Sequence, residues 1–268
     1  MMATTRHGFL IALIAVHLMT ACGHDAPVRN PRQDQAVELN QRAQRSYQRG
    51  EYRVALGLYE QALQLDIAIE NVDGIAVNLL NLAKVSQALG DSANSKHYLD
   101  QLLQDKALSY PAPRLASAAL QYGLLSLLSG DLVNAKSWAD KATGLCVAGC
   151  NLSGVIANLR ANIAVHSADA DQALYWSERA VAANRDEAQI EYANALRLLA
   201  QAKWLGKDPA SAVPILEESL AIDKRLGLPD KIAQDLSLLA LAHQKLGSAE
   251  QANIYRERAT RIEATLVK

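Results

Sequence analysis

From Gln35 to the C-terminus, apolar residues recur three and four positions apart. That is the spacing of one helix face, and no stretch alternates with the period of two that a half-buried strand requires. A longer rhythm lies over the helical one. Breaks fall at Gly50-Glu51, Gly90-Asp91, Gly130-Asp131, Ala168-Asp169, Lys207-Asp208 and Gly247-Ser248, each followed by a small residue: Ala55, Ser95, Ala135, Ala173, Ala212 and Ala252. The small residues are spaced 40, 40, 38, 39 and 40 apart. A period of this length holds two helices, so the pattern predicts an all-α solenoid of about six helix pairs over residues 35–268.

The residue types at the breaks have physical reasons. Glycine takes the left-handed conformation that ends a helix, and Asp or Ser caps the next one. Asp208-Pro209 joins a capping carboxylate to a proline at the first helical position. The small residue five positions into the second segment lets it lie close against the first.

Gly50-Glu51-Tyr52-Arg53-Val54-Ala55, followed by Tyr59, Ala62, Leu63 and Asp66, resembles the tetratricopeptide repeat family. The last unit is also recognisable, with Leu236, Leu239, Ala240, Gly247, Ala249, Ala252 and Ala259. The third supplies Tyr122-Gly123, Gly130, Asp131, Ala135 and Ala142; the fourth and fifth match less closely. The resemblance covers about residues 35–266, at a period near 40 rather than the commoner 34. It implies a right-handed superhelix whose concave face is lined by the first helix of each pair. Carried over position by position, the inward residues include Asn40, Gln44, Tyr47, Leu80, Lys84 and Gln87, then Leu120, Leu124, Leu127 and Leu128. Asn158, Asn162, Arg197, Gln201, Trp204, Ser237, Leu241 and Gln244 complete them.

Two clusters stand out as partner-binding candidates alongside Asn40, Gln44 and Lys84. Asn158 and Asn162 stack on one helix face, and their amides both donate and accept, which suits an extended peptide backbone. Arg197, Gln201 and Trp204 share a face in the next unit, and Arg and Trp dominate interface energetics. The competing reading packs Trp204 in the core and leaves the Asn pair solvated. An exposed Arg197/Gln201/Trp204 patch favours a protein-binding adaptor. Deep apolar lining at Leu124, Leu127 and Leu128 favours a peptide or small-ligand sensor that changes curvature on binding.

The first 34 residues carry no repeat. Arg6 and His7 precede an apolar run from Phe9 to Met19, too short to span a bilayer and ending in small residues, as a secretory signal does. Met19-Thr20-Ala21-Cys22 resembles the lipobox of bacterial lipoproteins. That resemblance implies a signal peptide over residues 1–21, lipidation of Cys22, and, from Gly23 after the cysteine, an outer-membrane, periplasm-facing destination. Residues 22–34, polar and holding Pro27 and Pro31, read as a flexible tether.

Composition narrows the function class. The formal net charge of −1 argues against gripping nucleic acid by charge. Cys146 and Cys150 are too widely spaced for a C-x-x-C redox or zinc motif. In an oxidising compartment they pair as a disulfide; free thiols and metal or redox work are the alternatives. His97, His166 and His243 lie on different repeats with no ligands at metal spacing. There is no nucleophile elbow, zinc-protease helix or phosphate loop. The sequence therefore predicts no metal, no cofactor and no catalytic residues. It predicts an interaction protein of the cell envelope, held to the membrane by its lipid and taking a protein or extended peptide in its groove.

Overall fold

The computed structural model describes residues 30–146, 150–186 and 189–266. Among the described residues there are twelve α-helices and no strand. In chain order they are α1 (Pro31–Gln48), α2 (Tyr52–Ala68), α3 (Val72–Ala88), α4 (Ser92–Gln104), α5 (Ala112–Leu128) and α6 (Leu132–Leu145). There follow α7 (Ser153–His166), α8 (Ala170–Asn184), α9 (Gln189–Leu205), α10 (Pro209–Leu226), α11 (Pro229–Lys245) and α12 (Ala249–Leu266). Odd and even helices pair into six hairpins, and each hairpin packs on the next.

One turn makes all six hairpins. Its central residue has positive φ: Gly50, Gly90, Gly130, Ala168, Lys207 and Gly247. The next amide reaches back five residues to an otherwise unpaired helical carbonyl, as in Glu51 N–H to Ser46 O (2.9 Å) and Asp208 N–H to Lys203 O (2.9 Å). This is the Schellman closure of a helix C-terminus. The following helix is then capped at once. The carboxylates of Asp91, Asp131, Asp169 and Asp208 accept from the backbone amides of Asn94, Asn134, Gln172 and Ser211. Backbone N–H donation holds the carboxyls of Asp91 and Asp131 below their ordinary pKa, and the Ser211 hydroxyl together with its backbone N–H does the same for Asp208.

The small residues do what their spacing predicts. Ala55, Ser95, Ala135, Ala173, Ala212 and Ala252 are all at most 2% exposed. At Ser95 the hydroxyl donates to Ala83 O across the hairpin (2.8 Å), so even the polar exception is satisfied. Leucines at the neighbouring positions, among them Leu82, Leu99, Leu159, Leu216 and Leu239, fill a string of small cores along the array.

The turns between hairpins are not equivalent. α2–α3 and α10–α11 are tight, with positive φ at Glu70 and Gly227 and the amides of Asn71 and Leu228 closing back on Asp66 O and Asp223 O. At α2–α3 the helices approach so closely that a Cβ on Gly74 would overlap the Asp66 carboxylate. The α4–α5 and α6–α7 connections are longer, and a disulfide between Cys146 and Cys150 lies in the latter. The N-terminal boundary differs from the sequence expectation. Helix α1 begins at Pro31, inside the stretch read as tether, because Asn30 accepts from Arg32 N–H and Pro31 at the first position is already shaped for a helix. The lipobox cysteine, Cys22, lies outside the described residues.

Two of the six hairpin turns put an ordinary side chain in the left-handed region, Ala168 at φ 54° and Lys207 at φ 64°. That conformation costs an L-residue roughly 1–2 kcal/mol, part of which glycine returns as extra unfolded-state entropy. Ala168→Gly and Lys207→Gly are expected to raise stability by about 0.5–1 kcal/mol each, and Gly247→Ala to lower it by a similar amount. Urea or thermal unfolding of the three variants measures this.

Candidate binding groove on the inner face

The odd-numbered helices line one face, and between α5, α7, α9 and α11 that face deepens into a cavity of about 360 Å³. Every lining residue belongs to the first helix of its hairpin. Asn158 and Asn162 sit one turn apart on α7, Glu191, Asn194, Arg197 and Gln201 on α9, Lys231 and Gln234 on α11, and Leu124 closes the α5 end. The wall is mixed: amides and charges from α7, α9 and α11 share it with Leu124, Val155, Leu159 and Leu198.

The Asn158 amide nitrogen donates to Glu191 twice, to its backbone carbonyl (3.0 Å) and its carboxylate (2.9 Å). The same carboxylate accepts from Asn194 (3.2 Å). Glu191 thus fixes the Asn158 side chain with its Oδ1 free: that oxygen is buried and has no partner among the described residues. A buried acceptor without a partner costs about 1–3 kcal/mol, so the Asn158 side chain is held in place at a cost to stability.

Beneath the groove lies an ionic cluster. Arg197 is 3% exposed. Its guanidinium donates to Asp235 Oδ1 (2.7 Å), to the Asp223 carboxylate and to Asn194 Oδ1 (2.6 Å). Ser219 Oγ adds donation to Asp235 (3.1 Å). Two buried carboxylates face one guanidinium, and Asp223 Oδ1 has no partner among the described residues. Burial, opposed by Arg197 and reinforced by the Asp223 charge, pushes the Asp235 carboxyl up to about 7.

The same junction recurs at the other end of the array in a quieter form. Asp66 and Asn78 are twelve residues apart, as are Asp223 and Asp235, and the Asn78 amide donates to Asp66 Oδ2 (2.7 Å). Asn71 donates to the other Asp66 oxygen (2.7 Å). Burial raises the Asp66 carboxyl as well, against these two hydrogen bonds. An amide can donate to its partner carboxylate; an ionised Asp235 cannot, and Arg197 supplies the missing donors.

This corrects the reading of Arg197 as a partner-binding residue. Its charge is spent on two carboxylates inside the array, and it borders the cavity without being free to pair with a partner. No exposed Arg197/Gln201/Trp204 patch exists, and Trp204, half-buried, does not line the cavity. Asn158 is also largely buried, with its nitrogen engaged. Asn162 and Gln201 are the two predicted residues placed in the groove and partly open to it. Asn40, Gln44 and Lys84 lie elsewhere and have local partners. Asn40 donates to Ala36 O, Gln44 accepts from the Tyr59 hydroxyl (3.0 Å), and the Lys84 ammonium sits 4.8 Å from the Tyr47 ring centre. Leu127 is buried and Leu128 faces solvent; of the three leucines only Leu124 reaches the cavity, where Val155, Leu159 and Leu198 supply the rest of its apolar wall. Glu191, Asn194, Lys231 and Gln234 were missed. The spacing of Glu191, Asn194 and Gln201, three then seven apart, is a helix-face stripe that marks them.

Among the described residues no group of three or more His, Cys, Asp or Glu side chains is placed to hold a metal ion. No described helix is long and apolar enough to cross a membrane.

Comparison with known proteins bears on the fold alone. No protein-family model and no curated protein matches the sequence. Solved structures do match. BtubC (BKLC) from P. vanneervenii superposes with a TM-score of 0.57 at 17% identity, over 89% of this chain and 93% of its own. A Rap protein complexed with Competence and Sporulation Factor gives 0.65 at 14% identity, over 87% of this chain and 66% of its own. Aspartyl phosphate phosphatase F from Bacillus subtilis gives 0.58 at 10%, over 78% of this chain and 56% of its own. The fold is a tetratricopeptide-like repeat solenoid. In this repeat array Asp235 stands where the first junction has Asn78.

That difference has a pH signature. An acid whose folded pKa lies above its unfolded value stabilises fully below the unfolded pKa, and the contribution is lost as pH rises through the folded one. Stability is therefore expected to fall between about pH 4 and 8, with Asp66 adding a slope of the same sign. Asp235→Asn keeps the shape, supplies the donor that Asn78 has, and removes the titration. It is expected to flatten the profile and to gain on the order of 1–3 kcal/mol at pH 8 relative to wild type. Denaturant melts of both proteins at pH 5 and pH 8 check the sign and the size.

Proposed function

We propose that the chain is a membrane-anchored adaptor of the bacterial cell envelope that takes an extended segment of a partner protein in the α5/α7/α9/α11 groove. The observation that carries this is the pair of partly open amides, Asn162 on α7 and Gln201 on α9, that line the groove beside the Asn158 carboxamide pinned by Glu191. An extended backbone presents N–H and C=O groups at intervals that such amides match without selecting side chains. Lys231 places a positive charge on the α11 side of the groove, set against Glu191 on α9. Catalysis has no support in the groove, although one fold neighbour is named as a phosphatase; that name belongs to a protein 10% identical.

The envelope location rests on Met19-Thr20-Ala21-Cys22 and the apolar run before it. A lipidated Cys22 would hold the array within a short, polar stretch of the membrane, with Gly23 favouring the outer membrane and the periplasmic side. The second reading is a sensor for a peptide or small ligand. The Rap protein solved with a bound factor, the size of the cavity and its apolar residues favour it, and the open amides of Asn162 and Gln201 favour the adaptor.

In cells expressing the chain, Cys22→Ser is expected to move it from the membrane fraction to the soluble fraction. Cross-linking and capture from intact cells compares wild type with Asn162→Ala/Gln201→Ala, two partly exposed positions whose loss should leave the melting temperature unchanged. The double variant is expected to lose the captured envelope protein at least tenfold. Equal capture by both proteins would place the contact outside the groove. Capture of no protein by either, with a ligand-dependent rise in melting temperature, would favour the sensor.

A further inference from the structure

The opposite side of the array holds a second cavity, of about 580 Å³, between α6 and α8 with α7 as its floor. Helix α6 packs on α7, and α7 packs on α8. Two arginines enter it from different helices, Arg160 from α7 and Arg179 from α8, and no carboxylate lines it. Between them stands Trp176. The Arg160 guanidinium carbon lies 4.8 Å from the Trp176 ring centre and that of Arg179 5.8 Å. Gln172 holds the indole in place by accepting from Nε1 (3.1 Å).

The two guanidiniums are in different states. Arg160 is 16% exposed at its side chain, and its Nη2 is committed to Asp140 (2.6 Å) and the Thr143 hydroxyl (3.0 Å). Its Nε is buried and has no acceptor among the described residues. Arg179 is exposed, stacks on Tyr175 (5.4 Å) and Trp176, and makes no ion pair among the described residues. Ile156, Ala157, Ala182 and Ala183 give the cavity an apolar floor, and Thr143, Cys146 and Ser153 edge it on the α6–α7 side. Donors without acceptors, a rigid aromatic plate and an alkyl floor fit one ligand chemistry, a carboxylate on an apolar body. The fork of an arginine binds a carboxylate through two parallel hydrogen bonds, and stacking on Trp176 pre-orients it. The volume is in the range of small-molecule sites.

We propose that the α6/α8 cavity binds an organic monocarboxylate, its anion against Arg179 and Arg160 and its apolar part over Ile156 and Ala157. The source is either a free alkyl acid or the apolar C-terminus of a peptide, and both present the same chemistry. The site is independent of the inner groove: no residue lines both.

The test follows the indole N–H resonance of Trp176 in the ¹⁵N-labelled full chain, assigned with Trp176→Phe. Octanoate and acetyl-Leu-Leu are titrated beside their neutral amides, octanamide and acetyl-Leu-Leu-amide. A saturable shift is expected with at least one carboxylate, about tenfold weaker with its amide, as the loss of one charged hydrogen-bonded pair implies. Whichever acid binds more tightly names the source. Arg179→Gln, at an exposed position, is expected to weaken binding by about tenfold at unchanged melting temperature, and Asn162→Ala/Gln201→Ala to leave it unaltered. The proposal is overturned if the amides bind as well as the acids, or if Arg179→Gln binds like wild type. It also fails if inorganic phosphate competes as strongly as the acids, or if no probe saturates the shift by about 10 mM.

Discussion

One backbone hydrogen bond, repeated six times, organises the molecule. The amide after each left-handed residue returns to a carbonyl five residues back, ending one helix and aiming the next down its side. With that turn closed, the small residue at 55, 95, 135, 173, 212 or 252 falls against the preceding helix and the hairpin can close-pack. With every hairpin closed alike, odd helices share one face and even helices the other. The groove and the opposite cavity follow from that sorting. The bond is so strongly determined by its surroundings that Ala168 and Lys207 are driven into the left-handed region without a glycine to ease them. Helix capping by Asp169 and Asp208 on the next residue helps to hold them there.

Two of the five junctions between hairpins share a second device, a carboxylate buried at the end of an even helix. At Asp66 the partners are neutral amides, and the junction is complete within two hairpins. At Asp223 the partner is another carboxylate, and a third helix must contribute Arg197. Replacing a carboxylate–amide contact by a carboxylate–guanidinium–carboxylate one ties α9, α10 and α11 together through a single side chain. Removing Arg197 would leave two buried carboxylates without their cation, so the joining of the last two hairpins depends on that one side chain. Arg197 also donates to Asn194 in the groove wall, so the packing of the last hairpins and the shape of the groove share a residue.

The periodic part of this was legible in the chain. Six breaks and six small residues placed the hairpins, because turn chemistry and close packing leave marks at fixed positions. The groove was legible only in part. Helix-face spacing brought Asn158, Asn162, Arg197 and Gln201 together correctly, since all depend on the same 3.6-residue period. It could not tell a lining residue from a buried one: Arg197 reads as a surface cation until Asp223 and Asp235, 26 and 38 residues away, are folded against it. Asn40, Gln44 and Lys84 were carried over by position alone, and near the first hairpin that position holds local hydrogen-bonding and stacking partners. Proline at position 31 was read as a mark of irregular chain, whereas at the first turn of a helix its missing N–H costs nothing.

Helix α7 shows why one element can serve two faces. An amphipathic helix in a two-layer protein has one buried stripe. In the middle of a solenoid, α7 is packed on the hairpins before and after it, and its buried residues run around much of its circumference: Ile156, Ala157, Asn158, Leu159, Ala161 and Ile163. Its polar residues are left only where the neighbours part. Asn158 and Asn162 mark the opening toward the inner groove, and Arg160, two positions from each, marks the opening toward the α6/α8 cavity. Two residues along a helix turn the side chain by about 200°, so alternate polar positions must face opposite sides of the array. A short polar–apolar–polar sequence in a helix that is otherwise buried all round is therefore evidence of two openings rather than of a poorly formed amphipathic face.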